Sequence, residues 1–313
     1  MPLIAALLLA LAGCSDAGPS GQAGDAQAVN PYAERAGYAD PGSHTAQAAG
    51  HDPVFARLAA IPQGIWLTPE EHPAGEVGPY VAAIVEQADE AQQVPTFVVY
   101  GIPDRDCSGG YSSGGLSVGD YAPWVQEIAD AAGGGGSAVA ILEPDALAAA
   151  VECERQAERV QLIGDAVATL REAGVTTYVD GGHSRWVDPA RIADLLDRVG
   201  VRDVRGFATN VANFQTDRDE QAYAERLSGL LGGAHYVIDS GRNGVGASDE
   251  WCNPPARAFG TEPVAAGDND PEHQDAYLWI KPPGESDGEC GGGPPAGSFW
   301  PERALAMADT SGW

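Results

Sequence analysis

"AVAILEPDALAAAVECERQAERVQLIGDAVATLREAGVTTYVD", residues 138–180, decides the fold class. It begins with the short apolar run "AVAILE" (138–143), passes through the amphipathic stretch "AERVQLIGDAVATLREAG" (157–174), and ends on a second β-rich run, "TTYVD" (176–180). Strand, helix and strand in that order make a parallel crossover unit. The unit recurs on both sides. Further β-rich runs are "GIWL" (64–67), "TFVVYG" (96–101), "GFATN" (206–210), "HYVID" (235–239) and "AYLWIK" (276–281). Amphipathic stretches separate them, among them "PYVAAIVEQADEAQQ" (79–93), "YAPWVQEIADAA" (121–132) and "PARIADLLDRVG" (189–200). About seven such units predict an α/β fold, a distorted parallel (β/α) barrel with its cleft at the C-terminal strand ends. A doubly wound open sheet is the competing arrangement.

Polar residues follow the strands. Asp104-Arg105-Asp106 come after the second and Pro144-Asp145 after the third, while the fourth ends in Asp180. Asn210 and Asn213 follow the fifth, Asp239 and Arg242 the sixth, and Lys281, Glu285 and Asp287 the seventh. In a parallel barrel all of these open on one face. Clustered like charges oppose folding, so carboxylates gathered at one mouth point to chemistry. Two uses are common: binding a hard cation, and splitting a glycosidic bond with one acid and one carboxylate. No loop carries cation ligands at short spacing, so neither metal nor cofactor is expected. Trp66, Trp186, Trp251 and Trp279 lie at or beyond strand ends, where aromatic faces suit sugar rings. Trp124, inside a helical stretch, is expected in the core, and Trp279 fits either place.

The chain carries 17 basic and 45 acidic residues, a formal net charge of −28. Such a surface repels nucleic acid and anionic lipid headgroups. Lys281 is the single lysine. At the N-terminus, "MPLIAALLLALAGCSDAG" holds an apolar run from Leu3 to Ala12, which is too short to span a bilayer and fits a signal-peptide core. Leu11-Ala12-Gly13-Cys14 looks like a lipoprotein cleavage box, although no Lys or Arg precedes the run. The expected organisation is a signal peptide over 1–13, a lipidated Cys14 opening a small, polar tether over 14–29, and a globular domain over 30–313. The protein is then exported as a monomer, anchored at the cell surface or secreted, and touches a membrane only through its lipid. The other four cysteines, Cys107, Cys153, Cys252 and Cys290, lack CxxC spacing and read as disulfides in an oxidising compartment. Three pairings are possible; sequence proximity favours Cys107–Cys153 and Cys252–Cys290.

Seven blocks, in this order, carry a resemblance: "VVYGIPDRDCSGGYSSGG", "ILEPDALAAAVEC", "YVDGGHSRWV", "GFATNVANF", "VIDSGRNG", "EWCNPPARAFG" and "LWIKPPGESDG". From about Asn30 onward the chain resembles glycoside hydrolase family 6, the cellulases once called family B. The resemblance implies a distorted α/β barrel that hydrolyses β-1,4-glucosidic bonds with inversion at the anomeric carbon. It implies Asp145 as general acid, its pKa raised by like-charge proximity to Asp106, which in turn handles the proton of the attacking water. Tyr100 matches the tyrosine that crowds the distorted sugar, and Ser112, in a glycine-rich loop suited to a mobile lid, the residue that positions water. Asp287 matches a contested base held by basic partners, here Lys281 and Arg242; Lys281 is expected to hold both Asp287 and Glu285. Asp180 matches an aspartate supporting sugar binding. Trp66, Trp186 and Trp251 match stacking positions, and Asn210, Lys281 and Glu285 polar sugar contacts. His183 and Arg105 are expected to support the site from behind. A Cys107–Cys153 bridge would pin the loops of Asp106 and Asp145, and Cys252–Cys290 would brace the last loop.

Only 15 residues separate "RAFG" (257–260) from "AYLWIK" (276–281). So short a connection implies an open cleft and internal cleavage, an endoglucanase. The substrate partner is then a β-1,4-glucan or cello-oligosaccharide. Alternatives are an inverting hydrolase of mixed-linkage β-glucan or xyloglucan, and a non-catalytic glucan-binding protein; the latter would be marked by loss of Asp145 or Asp106, and both are present.

Overall fold

Every β-rich run becomes a strand in the computed structural model, which describes residues 23–107, 109–134, 137–153, 155–248 and 250–313. The expected signal peptide and Cys14 lie outside those residues. The strands are β1 (Ile65–Leu67), β2 (Thr96–Val99), β3 (Val139–Leu142), β4 (Thr176–Asp180), β5 (Gly206–Thr209), β6 (His235–Asp239), β7 (Val264–Ala265) and β8 (Gln274–Leu278). They form one sheet in the order β1-β2-β3-β4-β5-β6-β8-β7. All neighbours pair in parallel except β7, which runs antiparallel to β8 along the edge. Two residues carry no readable alternation, so β7 was invisible in the sequence.

Strands β2, β3, β4 and β5 are buried along their whole lengths. Helices on the outside and packed side chains on the inside cover both faces, which is why these strands read as continuous apolar runs. The outer layer consists of helices Val77–Glu90, Val118–Ala132, Gln156–Glu172, Pro189–Arg198 and Asp217–Leu230. Asp188 and Thr216 start the last two by accepting from Ala190 N–H and Asp219 N–H. Trp124 is fully buried in this layer, as expected. Trp279 also proves to be core: it packs with Phe55, Phe259 and Met307 beneath the C-terminal helix Pro301–Ser311, and its Nε1 donates to Thr261 O at 2.8 Å.

The barrel is open between β1 and β8, where no ladder forms among the described residues. The main-chain bond Gly64 N–H to Trp279 O, at 2.8 Å, crosses the seam beside Trp66 Nε1 to Ile280 O at 2.9 Å. Gly64 is required there, since a Cβ would lie 2.2 Å from Ile280 O. At the opposite end, Ala23–Ala28 is helical, and Gln27 reaches Val175 O (2.7 Å) and accepts from Arg205 N–H (2.8 Å). The tether expected over 14–29 therefore gives way to docked structure by this helix. Gln27 satisfies main-chain groups that the strand ends would otherwise leave unpaired. Disulfides join Cys107 to Cys153 and Cys252 to Cys290, the pairing favoured by proximity.

Candidate active site

The loops after β1 through β6 and after β8, together with residues 40–45, enclose a cleft of about 1000 Å3. That is the upper end of the roughly 300–1,000 Å3 typical of small-molecule pockets, and it suits an extended ligand. Asp145 lines the cleft. After β3 come Glu143 (φ +50°) and Asp145 (φ +67°), both left-handed, where the chain turns into helix Ala146–Ala149. The main-chain N–H of Asp145 donates to Asp180 Oδ2 at 2.9 Å. Burial, and then the charges of Asp106 and Asp287, push the Asp145 carboxyl up to about 7. Burial is thus the first cause, ahead of the Asp106 charge that the sequence reading emphasised.

Asp106 (φ +53°) accepts at both oxygens, from Gly109 N–H at 3.0 Å and Ser112 N–H at 2.7 Å. Beside it Arg105 is buried, bonding Tyr100 O (2.8 Å), Ser112 O (2.9 Å) and Glu70 Oε2 (3.1 Å). Its guanidinium lies 4.6 Å over the Tyr100 ring, which meets Trp66 edge-on at 5.1 Å. The loop carrying Ser112 needs its glycines for close approach: a Cβ on Gly109 would sit 2.3 Å from Asp106 Oδ1. Tyr111 rests against the loop after β8, where a Cβ on Gly288 would come within 2.7 Å of Tyr111 Cβ, and it meets Trp251 edge-on at 5.6 Å.

Asp287 is held from two sides. Arg242 Nη1 lies 2.7 Å from Oδ1, and Asn253 N–H donates to Oδ2 at 2.9 Å. Lys281 Nζ pairs with Glu285 Oε2 at 3.0 Å and lies 5.1 Å from the Trp66 ring centroid. The expectation that Lys281 holds both carboxylates is corrected here. Each acid has its own cation: Lys281 pairs with Glu285 four residues on, and buried Arg242, from the loop after β6, pairs with Asp287.

Two more placements differ from expectation. Asn210 does not line the cleft: its amide donates to Asp239 O (2.7 Å) and Gln215 O (3.2 Å) and accepts from Gln215 N–H (3.0 Å), leaving nothing for a sugar. Its neighbour Asn213 faces the cavity instead. Asp180 is buried behind Asp145 rather than exposed to ligand. Burial, then Asp145, raises its carboxyl well above the usual range, so it supports Asp145 from below. Trp66, Trp186, Trp251 and Ser112 line the cleft as expected, and Trp186 Nε1 donates to Glu152 Oε1 at 3.1 Å. Burial, then Arg185, pushes His183 down to about 4, a neutral ring that accepts from Arg185 N–H. Asp239 spends both oxygens on main-chain N–H groups of Gly241, Ala212 and Lys281, tying three loops together. Among the described residues, no group of three or more His, Cys, Asp or Glu is placed to hold a metal ion.

Three carboxylates escaped the sequence reading. Glu70 joins Arg105 and Gly115 N–H, and its position just past β1 was the available signal. Glu143, beside Asp145, accepts from Gly101 N–H at 3.0 Å and is raised to about 7 by burial. Glu220 reaches from an outer helix to Ser184 N–H at 2.8 Å, a contact that no spacing announces.

The profile of Glycosyl hydrolases family 6 matches residues 23–311. Endoglucanase A of Cellulomonas fimi is 43% identical over 263 residues, covering 83% of this chain and 57% of its own length. Endoglucanase 1 of Streptomyces halstedii is 37% identical over 289 residues, covering 86% and 87%. The structure of the endoglucanase Cel6 from Mycobacterium tuberculosis, in complex with methyl-cellobiosyl-4-deoxy-4-thio-β-D-cellobioside, superposes with a TM-score of 0.86 at 42% identity. It covers 91% of this chain and 100% of that one.

Proposed function

Because the chain belongs to glycosyl hydrolases family 6, we propose that it is an endo-β-1,4-glucanase that cleaves with inversion and with Asp145 as its general acid. The observation that carries the reading is the Asp145 carboxyl raised to about 7 inside a cleft walled by Trp66, Trp186 and Trp251. An acid near the working pH can both hold its proton and give it up. Asp145 protonates the leaving glycosidic oxygen, and water attacks the opposite face of the sugar. Asp106 takes the proton of that water. Its oxygens accept from the main-chain N–H groups of Gly109 and Ser112, whereas Asp287 is committed to Arg242. Ser112, whose N–H fixes Asp106, stands in the cleft to position the water. Tyr100, edge-on to Trp66, crowds the ring at the cleavage point.

Export is consistent with two disulfides. Cys14 completes that reading as the lipid anchor, checked by mass spectrometry of the mature N-terminus. The function itself is tested by a proton NMR time course on cellopentaose. Early α-anomeric product ends, absent with Asp145→Ala, are expected. Early β-anomer would overturn inversion, and no cleavage would overturn the β-1,4-glucanase assignment.

A further inference from the structure

The cleft does not end at Trp66. It continues between the short helix His44–Ala48 and the loop after β1, where Asp40, His44, Glu71, His72 and Tyr80 line it. None of these residues serves the acid or the water. They form a built wall. The rings of His72 and Tyr80 stack with centroids 4.0 Å apart, and the His72 carbonyl is fixed by Trp124 Nε1 at 2.8 Å. Ser43 caps the short helix through Ala46 N–H, and Thr45 beside it is buried. His44 itself stays about half exposed, at 47% of its side chain. Its Nδ1 lies 3.8 Å from Glu285 Oε1, while Lys281 holds the other Glu285 oxygen at 3.0 Å. Trp66, Lys281, Glu285 and His44 are thus linked by successive contacts.

We propose that this end of the cleft is a further glucosyl-binding position, in which His44 recognises the sugar and sets a preference for longer chains. The proposal rests on the glucanase reading. His44 is half exposed and lines the cleft, so its imidazole is open to a sugar hydroxyl. Asp40 and Glu71 add acceptors, and the His72–Tyr80 pair adds an aromatic surface, the mixture of groups a pyranose needs. Glu285 chiefly raises His44 above the ordinary imidazole range, burial opposing it, with the Glu71 charge and the Gly297 main chain adding to the rise. The charged groups acting on His44 are thus Glu285, with its partner Lys281, and Glu71 from the β1 loop. Protonated, His44 donates from both nitrogens, and its bond to a hydroxyl is charge-assisted. Affinity at this position then falls as pH rises through the imidazole titration.

Calorimetric titration of the Asp145→Ala protein with cellotetraose and cellohexaose tests this without turnover. Adding His44→Ala is expected to cut the cellohexaose-over-cellotetraose affinity ratio roughly three- to tenfold at about pH 5.5, the worth of one hydrogen bond. His44→Gln should restore part of it. The ratio should also drop between about pH 5.5 and 8 with His44 present, and stay flat with His44→Gln. A ratio unchanged in both variants while cellohexaose still binds overturns the proposal. Chain-length preference in a protein whose Asp145 form cleaves no cello-oligosaccharide would sink the hydrolase reading and leave the position standing. Binding of neither oligomer would remove both.

Discussion

The main-chain N–H of Asp145 donates to Asp180 Oδ2 at 2.9 Å, so two carboxyl groups that both resist ionisation are tied across adjacent strand ends. The sign of the pH dependence follows. A general acid works while protonated, so kcat should fall as pH rises through about 7. Asp106→Asn removes a like charge and should move that limb to lower pH, besides lowering the rate. A kcat–pH profile checks this; a limb that stays in place would show that the Asp106 charge does not reach Asp145.

Asp145→Ala should separate substrates by leaving group. Unactivated cello-oligosaccharides need the proton and should lose about 10²–10⁴ in rate, the usual worth of a positioned acid. An aryl cellobioside with a strongly acidic phenol needs none and should lose far less. Initial rates on the two substrates decide it, and equal losses would remove Asp145 from the role.

The fold was legible because the parallel strands, buried in the sheet, write apolar runs, and polar residues follow each run toward the mouth. What stayed hidden was orientation. Asn210 and Asn213 stand three apart after β5, and nothing in their spacing says that Asn210 turns inward to bond Gln215 and Asp239 while Asn213 faces the cleft. The partition of cations was hidden likewise: the resemblance offered both Lys281 and Arg242 to Asp287, yet only the folded loop shows that Arg242 takes it while Lys281 pairs with Glu285. Glu220 was out of reach altogether, because its contact with Ser184 crosses 36 residues.

The lone lysine should not tolerate its nearest chemical relative. Lys281 is buried, with Nζ 3.0 Å from Glu285 and 5.1 Å from the Trp66 ring centroid. A planar guanidinium is wider than an ammonium and bonds as a fork. Lys281→Arg should therefore raise KM for cello-oligosaccharides about tenfold, near one charged hydrogen bond, with a smaller change in kcat. Steady-state kinetics on cellopentaose reads both, and wild-type values would make the lysine an accident of composition.

Arg242→Ala strands Asp287 in a buried loop with Asn253 N–H as its remaining donor. Removing one partner of such a pair typically costs about 3–5 kcal/mol. Thermal or urea unfolding should show a loss of that size. Asp287→Asn keeps an acceptor for Arg242 and should cost less, so the order of the two variants distinguishes a pairing role from bulk packing.

Stability should peak in mildly acidic solution. Glu143 and Glu220 are both raised to about 7 by burial, so the folded state prefers them protonated. Their favourable contribution is intact below the unfolded carboxylate value and is lost as pH rises through about 7, on the order of 3 kcal/mol each. Asp275 acts in the opposite sense. Buried against Arg205, with Oδ1 2.7 Å from Nη2, it is held below the usual value, burial opposing, so acid removes its contribution. Self-repulsion from a net charge of −28 also grows with pH and blurs the cause. Glu220→Gln isolates it: the melting temperature should drop less between about pH 5.5 and 8 in the variant than in the parent. An identical drop in both would mean that Glu220 is already ionised in the folded protein at the lower pH.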